Sequence, residues 1–279
     1  MINMGFYDQQ KDKYVALSGY DDFEIHLCEN LSDFPKANVI LIHGMGETLT
    51  RYDQLAAMLV KRGFNVFRYD QPGHGQTSGE VGVLEDPQLL TDCCLQVISE
   101  VRKRYYNFSL FLLGHSMGGF TVLQTLAQFP GKADGAIVSA PYSVYENPLL
   151  GTRPISGDEH EGLERLPQQG INRDERLSVR NKMDHTNPRP TVSLANALYQ
   201  GSLFLRSHIE QIEEPLLMLH GFEDGLISFK DTLAVYERLK VQDKELHIYP
   251  YLMHSLLNDP IRKKQIVKEI AEWLERHSF

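Results

Sequence analysis

The sequence predicts an α/β fold: a mostly parallel sheet, helices on both faces, and a lid inserted into the second half. Three observations predict it. Short runs that are apolar throughout recur along the chain, as expected for strands buried on both faces of a sheet. Amphipathic helical stretches separate those runs, the pattern of crossover connections between parallel strands. The alternation then stops between Ala140 and Pro215, where the chain turns polar.

The central strands are read at Asn38 to Ile42, Asn65 to Tyr69, Ser109 to Gly114 and Gly135 to Ala140, followed after the gap by Pro215 to Gly221 and Glu245 to Tyr249. An earlier pair, near Tyr14 to Leu17 and Phe23 to Cys28, adds an antiparallel edge. Asp86 and Pro87 form an N-cap and first-turn pair, after which Leu90, Cys94, Val97, Ile98 and Val101 mark one buried helical face. Asp259 and Pro260 repeat the device before Ile261, Ile266, Ile270, Trp273 and Leu274 in a closing helix. Gly63 and the Pro130–Gly131 pair stop two other helices. The resulting division is a core over residues 1–140, a lid over 141–207 and the rest of the core over 208–279. Within the lid only 17 of the 58 residues from Ser143 to Gln200 are apolar, against 42% for the whole chain. Its apolar content gathers in Val192, Leu194, Ala195, Ala197, Leu198 and Tyr199, behind the N-cap candidate Thr191 and before Gly201.

With 279 residues the chain holds one large domain carrying an insertion. Its net charge of -9 leaves no basic footprint for nucleic acid or for an anionic bilayer. Met1 to Lys13 lacks the apolar core of a secretory leader, and no stretch reaches the roughly 18 apolar residues of a membrane span. The expectation is a cytoplasmic protein with no stable membrane insertion; nothing in the sequence fixes its oligomeric state. Cys28, Cys93 and Cys94 are too few for a disulfide framework and read as reduced packing residues.

The most informative segment is Ser109 to Phe120, where a strand pattern ends in Gly114-His115-Ser116-Met117-Gly118-Gly119 and a helix pattern begins at once. A strand-to-helix elbow of this kind exposes a strained serine hydroxyl, and the glycines relieve crowding around it. Ser116 is therefore the nucleophile candidate; a helix-capping serine is the plain alternative. A serine needs a base within hydrogen-bond reach and a third group to orient that base. Only His254 and His277 lie beyond the last strand, and His277 falls in the final turn of the closing helix, where the dipole explains it. Asp224 or its neighbour Glu223 supplies the carboxylate, in the loop after Pro215 to Gly221. Two backbone N–H groups are expected to hold the developing oxyanion: that of Met117, and that of Met45 in His43-Gly44-Met45-Gly46. Neither this loop nor Gly73-His74-Gly75 completes a phosphate-binding motif.

These residues resemble the monoacylglycerol lipase and lysophospholipase branch of the α/β-hydrolases. The likeness rests on His43, Gly44, Met45, Gly46, Glu47, Arg51 and Tyr52, on Asp70, Gly73, His74, Gly75, Gln76, Thr77, Ser78 and Gly79, and on the elbow. The family's Gly-X-X-Asp falls on Gly221 and Asp224, and its histidine before the last helix on His254. The resemblance implies the α/β-hydrolase fold and a serine hydrolase of the triad Ser116, Asp224 and His254. Its substrates are then carboxylic esters: monoacylglycerols, lysophospholipids or small esters. It implies no cofactor and no metal, and the histidines show no ligand-like spacing. Epoxide hydrolases and haloalkane dehalogenases of this fold place Asp where Ser116 stands. An acyltransferase or a peptidase can use the same triad, and a non-catalytic binding protein usually lacks one of its members. The polar lid points to short and medium acyl chains, because each CH₂ buried is worth roughly 0.8 kcal/mol and long-chain selectivity needs a continuous apolar wall.

Overall fold

The computed structural model describes residues 10–143, 153–163, 169–173 and 190–279. Eight strands form one sheet in the order β1-β2-β4-β3-β5-β6-β7-β8. They are β1 Gln10–Ala16, β2 Glu24–Asn30, β3 Ala37–Ile42, β4 Phe64–Tyr69, β5 Leu110–His115, β6 Gly135–Ser139, β7 Leu216–Gly221 and β8 Lys244–Tyr249. The β1–β2 and β2–β4 pairs are antiparallel and all other pairs parallel, so the predicted antiparallel edge sits beside β4. Every residue of β3, β4, β5, β6 and β7 is buried, because helices cover both faces.

Among the described residues six α-helices accompany the sheet: α1 Asp53–Val60, α2 Gln88–Arg104, α3 Met117–Gln128, α4 Val192–His208, α5 Phe229–Arg238 and α6 Lys263–His277. The start of α2 is as predicted, with Asp86 Oδ1 accepting from the Gln88 N–H at 2.8 Å. Asp259 Oδ1 likewise accepts from Ile261 and Arg262 N–H at 2.9 and 2.7 Å. Those bonds close a turn, however, and α6 begins only at Lys263. Ile261 is left 68% exposed rather than on the buried face. Gly63 and Gly131 take φ of +94° and +80°, as their helix-stopping positions require.

Where the lid segment is described it differs from expectation in one respect. Thr191 caps α4 as predicted, its Oγ1 accepting from the Leu194 N–H at 3.2 Å. Gly201 does not end the helix, which runs on to His208. A Cβ at Gly201 would lie 2.3 Å from Phe120 Cζ on α3, so the missing side chain lets α4 settle against the core. Leu194, Ala197, Leu198 and Leu205 join the main hydrophobic cluster through that contact. Cys28, Cys93 and Cys94 are buried free thiols. Among the described residues no helix is long and apolar enough to cross a membrane.

Candidate active site

The parallel strands all present their carboxyl ends to one edge, and the candidate residues lie there: His43 to Gly46 after β3, Ser116 after β5, Asp224 after β7 and His254 after β8. This edge, where the crossovers diverge around β3 and β5, is where open α/β sheets place ligands. Ser116 joins β5 to α3 with φ 53° and ψ -115°, a conformation that L-residues avoid. The turn is held by the Ser116 N–H donating to Ser139 O at 2.9 Å and the Tyr142 N–H donating to Ser116 O at 3.1 Å. Two glycines make it possible. A Cβ at Gly114 would stand 2.2 Å from Gly118 O, and one at Gly118 would stand 2.1 Å from Ile42 O. Any side chain there would force β3, β5 and α3 apart.

The carboxylate that meets His254 belongs to Asp224 and not to Glu223. His254 Nδ1 lies 2.8 Å from Asp224 Oδ2, while Glu223 is exposed. Asp224 Oδ1 accepts from the N–H groups of Leu226 and Ile227, each at 2.8 Å. Burial favours the protonated acid, but the charge on His254 and hydrogen bonds from His220 and His254 outweigh it and hold the Asp224 carboxyl well below the usual range. Burial also disfavours charge on His254, and the neighbouring Asp224 carboxylate overrides it, so that this imidazole is raised above its ordinary value. His277 is engaged elsewhere, through Trp273 O and Asp243.

Met45 and Met117 both border a pocket that opens at Ser116. Among the described residues neither backbone N–H has an acceptor. The Met45 loop is braced on both sides. Glu47 Oε2 accepts from the Gly44 N–H at 2.9 Å and from Tyr52 Oη–H at 2.6 Å, while His74 Nε2 accepts from the Gly46 N–H at 3.1 Å. To accept there His74 must be neutral with its proton on Nδ1, which faces Pro72 O at 2.9 Å. Burial and the adjacent His43 push the His74 ring down to about 4, so it stays neutral at physiological pH. Glu47, part-buried, is held at about 2 against the cost of burial by Arg51, His115 and its hydrogen bonds. Thus Gly73-His74-Gly75 supports the loop that carries Met45, a role hidden in sequence because the two segments are far apart in the chain.

The His115 ring lies 4.8 Å, centroid to centroid, from that of His254, and burial with that neighbour lowers it to about 4. Two other features escaped sequence reasoning. His220, fully buried near the end of β7, has its Nε2 3.0 Å from Asp224 Oδ2, the oxygen that also meets His254. Gly170 accepts through its carbonyl from both Gly225 and His254 N–H at 3.0 Å, tying this part of the chain to the loops after β7 and β8.

The remaining pocket wall is mainly apolar: Tyr142, Leu226 and Ile227 from the core, and Leu163, Pro190, Ala195 and Leu198 from the lid segment, with Arg153 as a cation. Among the described residues of 141–207, α4 both docks on α3 and lines the pocket.

Comparison with known proteins agrees with this arrangement. The family model described as serine aminopeptidase, S33 (Hydrolase_4) matches residues 33–261. The human monoglyceride lipase is 31% identical over 255 residues, covering 88% of this chain and 84% of that protein. The monoacylglycerol lipase of Paleococcus ferrophilus superposes with a TM-score of 0.78 at 25% identity, covering 91% of this chain and 99% of that one. The fold is also that of a soluble variant of the Saccharomyces cerevisiae monoglyceride lipase, with a TM-score of 0.84 at 22% identity over 96% and 95% of the two chains. An elbow serine, a histidine–carboxylate pair and an eight-stranded sheet that positions them, together with a family match spanning most of the chain, show that this protein is an α/β-hydrolase belonging to the serine aminopeptidase S33 (Hydrolase_4) family.

Proposed function

We propose that the protein hydrolyses monoacylglycerols and related monoacyl esters through an acyl-enzyme on Ser116. The observation that carries this reading is the elbow serine at the mouth of an apolar pocket, in a fold that sets a buried His254–Asp224 pair on the same edge. The protein is a carboxylic ester hydrolase by its relatives as well. In the reaction Ser116 Oγ attacks the ester carbonyl carbon as His254 takes its proton. Asp224 stays ionised, fixes the His254 tautomer and stabilises the imidazolium. The carbonyl oxygen, now an anion, is held by the N–H groups of Met45 and Met117. Collapse of the tetrahedral intermediate expels the alcohol, which takes the proton from His254. Water then repeats the sequence on the acyl-enzyme and releases the acid. The segment 141–207 acts as the lid over this pocket.

Aminopeptidase activity, suggested by the family description, fits less well. A free amino terminus needs an anionic or carbonyl-rich partner, and the charged group among the described residues of the wall is Arg153, of the wrong sign. The test is a product assay on purified protein with monoacylglycerols of about four to sixteen acyl carbons, triacylglycerols and aminoacyl 4-nitroanilides. Fatty acid release from monoacylglycerols is expected, with kcat/KM rising by at most about fourfold per methylene while the wall lasts. Faster cleavage of the anilides, or transfer of the acyl group to added alcohol in place of hydrolysis, would replace this reading by the peptidase or acyltransferase one.

The oxyanion assignment has its own expected result. Met117→Leu retains most of the rate, because only the backbone acts. Met45→Pro removes the donor and lowers kcat by about 10²- to 10³-fold. A folded Met45→Pro enzyme with unchanged kcat removes Met45 from the mechanism.

A further inference from the structure

Asp224 Oδ2 is met by a second histidine that the mechanism above does not use. His220 is 0% exposed, and its Nε2 lies 3.0 Å from Asp224 Oδ2 and 3.0 Å from Ile227 O. Both are acceptors, so Nε2 carries a proton. Its Nδ1 lies 2.7 Å from Thr232 Oγ1 on α5, a hydroxyl that can donate to an unprotonated nitrogen. Among the described residues the Asp224 carboxylate meets Leu226 and Ile227 N–H on Oδ1, and His254 and His220 on Oδ2. The main chain fixes one oxygen. The other is left to two histidines, one of which must change protonation during turnover.

We propose that His220 is a positioning residue for the reaction: as a neutral Nε2–H tautomer fixed by Thr232, it clamps Asp224 Oδ2 so that the remaining lone pair of that oxygen faces His254. The proposal rests on the reading of Ser116, His254 and Asp224 as a catalytic triad. Its physical content is twofold. Without the clamp the carboxylate could rotate about its last bond, pivoting on the two main-chain bonds to Oδ1, and the bond to His254 would lose alignment. The clamp also takes part of the carboxylate's hydrogen-bonding capacity, which moderates its basicity toward His254 while leaving its full negative charge to stabilise the imidazolium. A charged His220 would instead neutralise Asp224 in advance. The other ionisable groups around His254 are Glu47 and His115, with Arg51 behind them.

Two variants of similar volume separate clamping from packing: His220→Gln, which keeps an N–H donor, and His220→Met, which has none. With 4-nitrophenyl butyrate, His220→Met is expected to lose about 10- to 100-fold in kcat with KM within about twofold, the range for one hydrogen bond to a charged group. The acid limb of its kcat/KM profile should move to higher pH, because the freed carboxylate holds the His254 proton more tightly. His220→Gln should stay within about fivefold of the parent, with the limb in place. Equal rates and limbs in the two variants would overturn the proposal, since packing alone would then explain the residue. If the Met variant fails to fold, ¹⁵N NMR of the parent decides, its His220 signal assigned by its loss in His220→Gln. A neutral Nε2–H ring across the active pH range supports the clamp; an Nδ1–H ring or an imidazolium there refutes it. Ser116→Ala serves as the control: if that variant kept activity the triad reading itself would fall, whereas an inactive Ser116→Ala beside indistinguishable Gln and Met enzymes removes only His220.

Discussion

Ser116→Ala should lower kcat by about 10⁴- to 10⁶-fold and abolish labelling by a fluorophosphonate probe. The size follows from the chemistry, since without the hydroxyl there is no acyl-enzyme, and what remains is the rate that positioning and oxyanion binding give to water. The specificity follows from the backbone. The positive φ at Ser116 aims its side chain at the pocket from a turn that the close approaches at Gly114 and Gly118 hold in place. Alanine fits the same turn, so the variant should melt within a few degrees of the parent. A labelled, active Ser116→Ala enzyme would transfer the nucleophile to another hydroxyl.

Asp224→Asn should cost about 10⁴-fold in kcat, with Glu223→Gln within about twofold of the parent. An asparagine at 224 can present an N–H to His254 Nδ1 and so favour the tautomer whose Nε2 carries the proton, unable to accept one from Ser116. The pH profile gives an independent sign. His254 works as a base only when unprotonated, and Asp224 raises it against the opposing effect of burial. The acid limb of kcat/KM in the parent should therefore lie above the ordinary histidine value of about 6.5. In Asp224→Asn the carboxylate is gone and burial remains, so the limb should fall below that value while the plateau drops. The opposite order of severity, with Glu223→Gln the worse, would pass the acid's role to Glu223.

The elbow was legible in sequence because its constraint is local. Six consecutive residues encode a strand end, a strained turn and a helix start, and the glycines record in their missing side chains how near the backbones come. Asp86 and Thr191 were legible for the same reason, since each bonds to an N–H two or three residues ahead. The reading failed where a residue's meaning depends on something distant in the chain. Gly201 has the form of a helix stop, yet it is a contact point for Phe120 across the α3–α4 interface. Ile261 has the periodicity of a buried face, yet the turn closed by Asp259 faces it outward.

By itself the sequence determined the strand and helix order, the antiparallel edge, the nucleophile candidate and the two loops that hold its partners, because hydrophobic period, caps and turn glycines are short-range properties of a chain. It favoured Asp224 over Glu223 partly by family likeness, and it counted the apolar residues of 141–207 without their direction. Tertiary structure decided these. Parallel strand pairing brings the ends of β3, β5, β7 and β8 to one edge, where a hydrogen bond 2.8 Å long joins His254 to Asp224 rather than to Glu223. There His74 braces the Met45 loop and His220 meets Asp224. Docking of α4 on α3 turns Ala195 and Leu198 into the pocket. The physical reason is the same throughout: a directional bond between side chains depends on distances of a few tenths of an ångström, and packing between elements remote in sequence sets those distances.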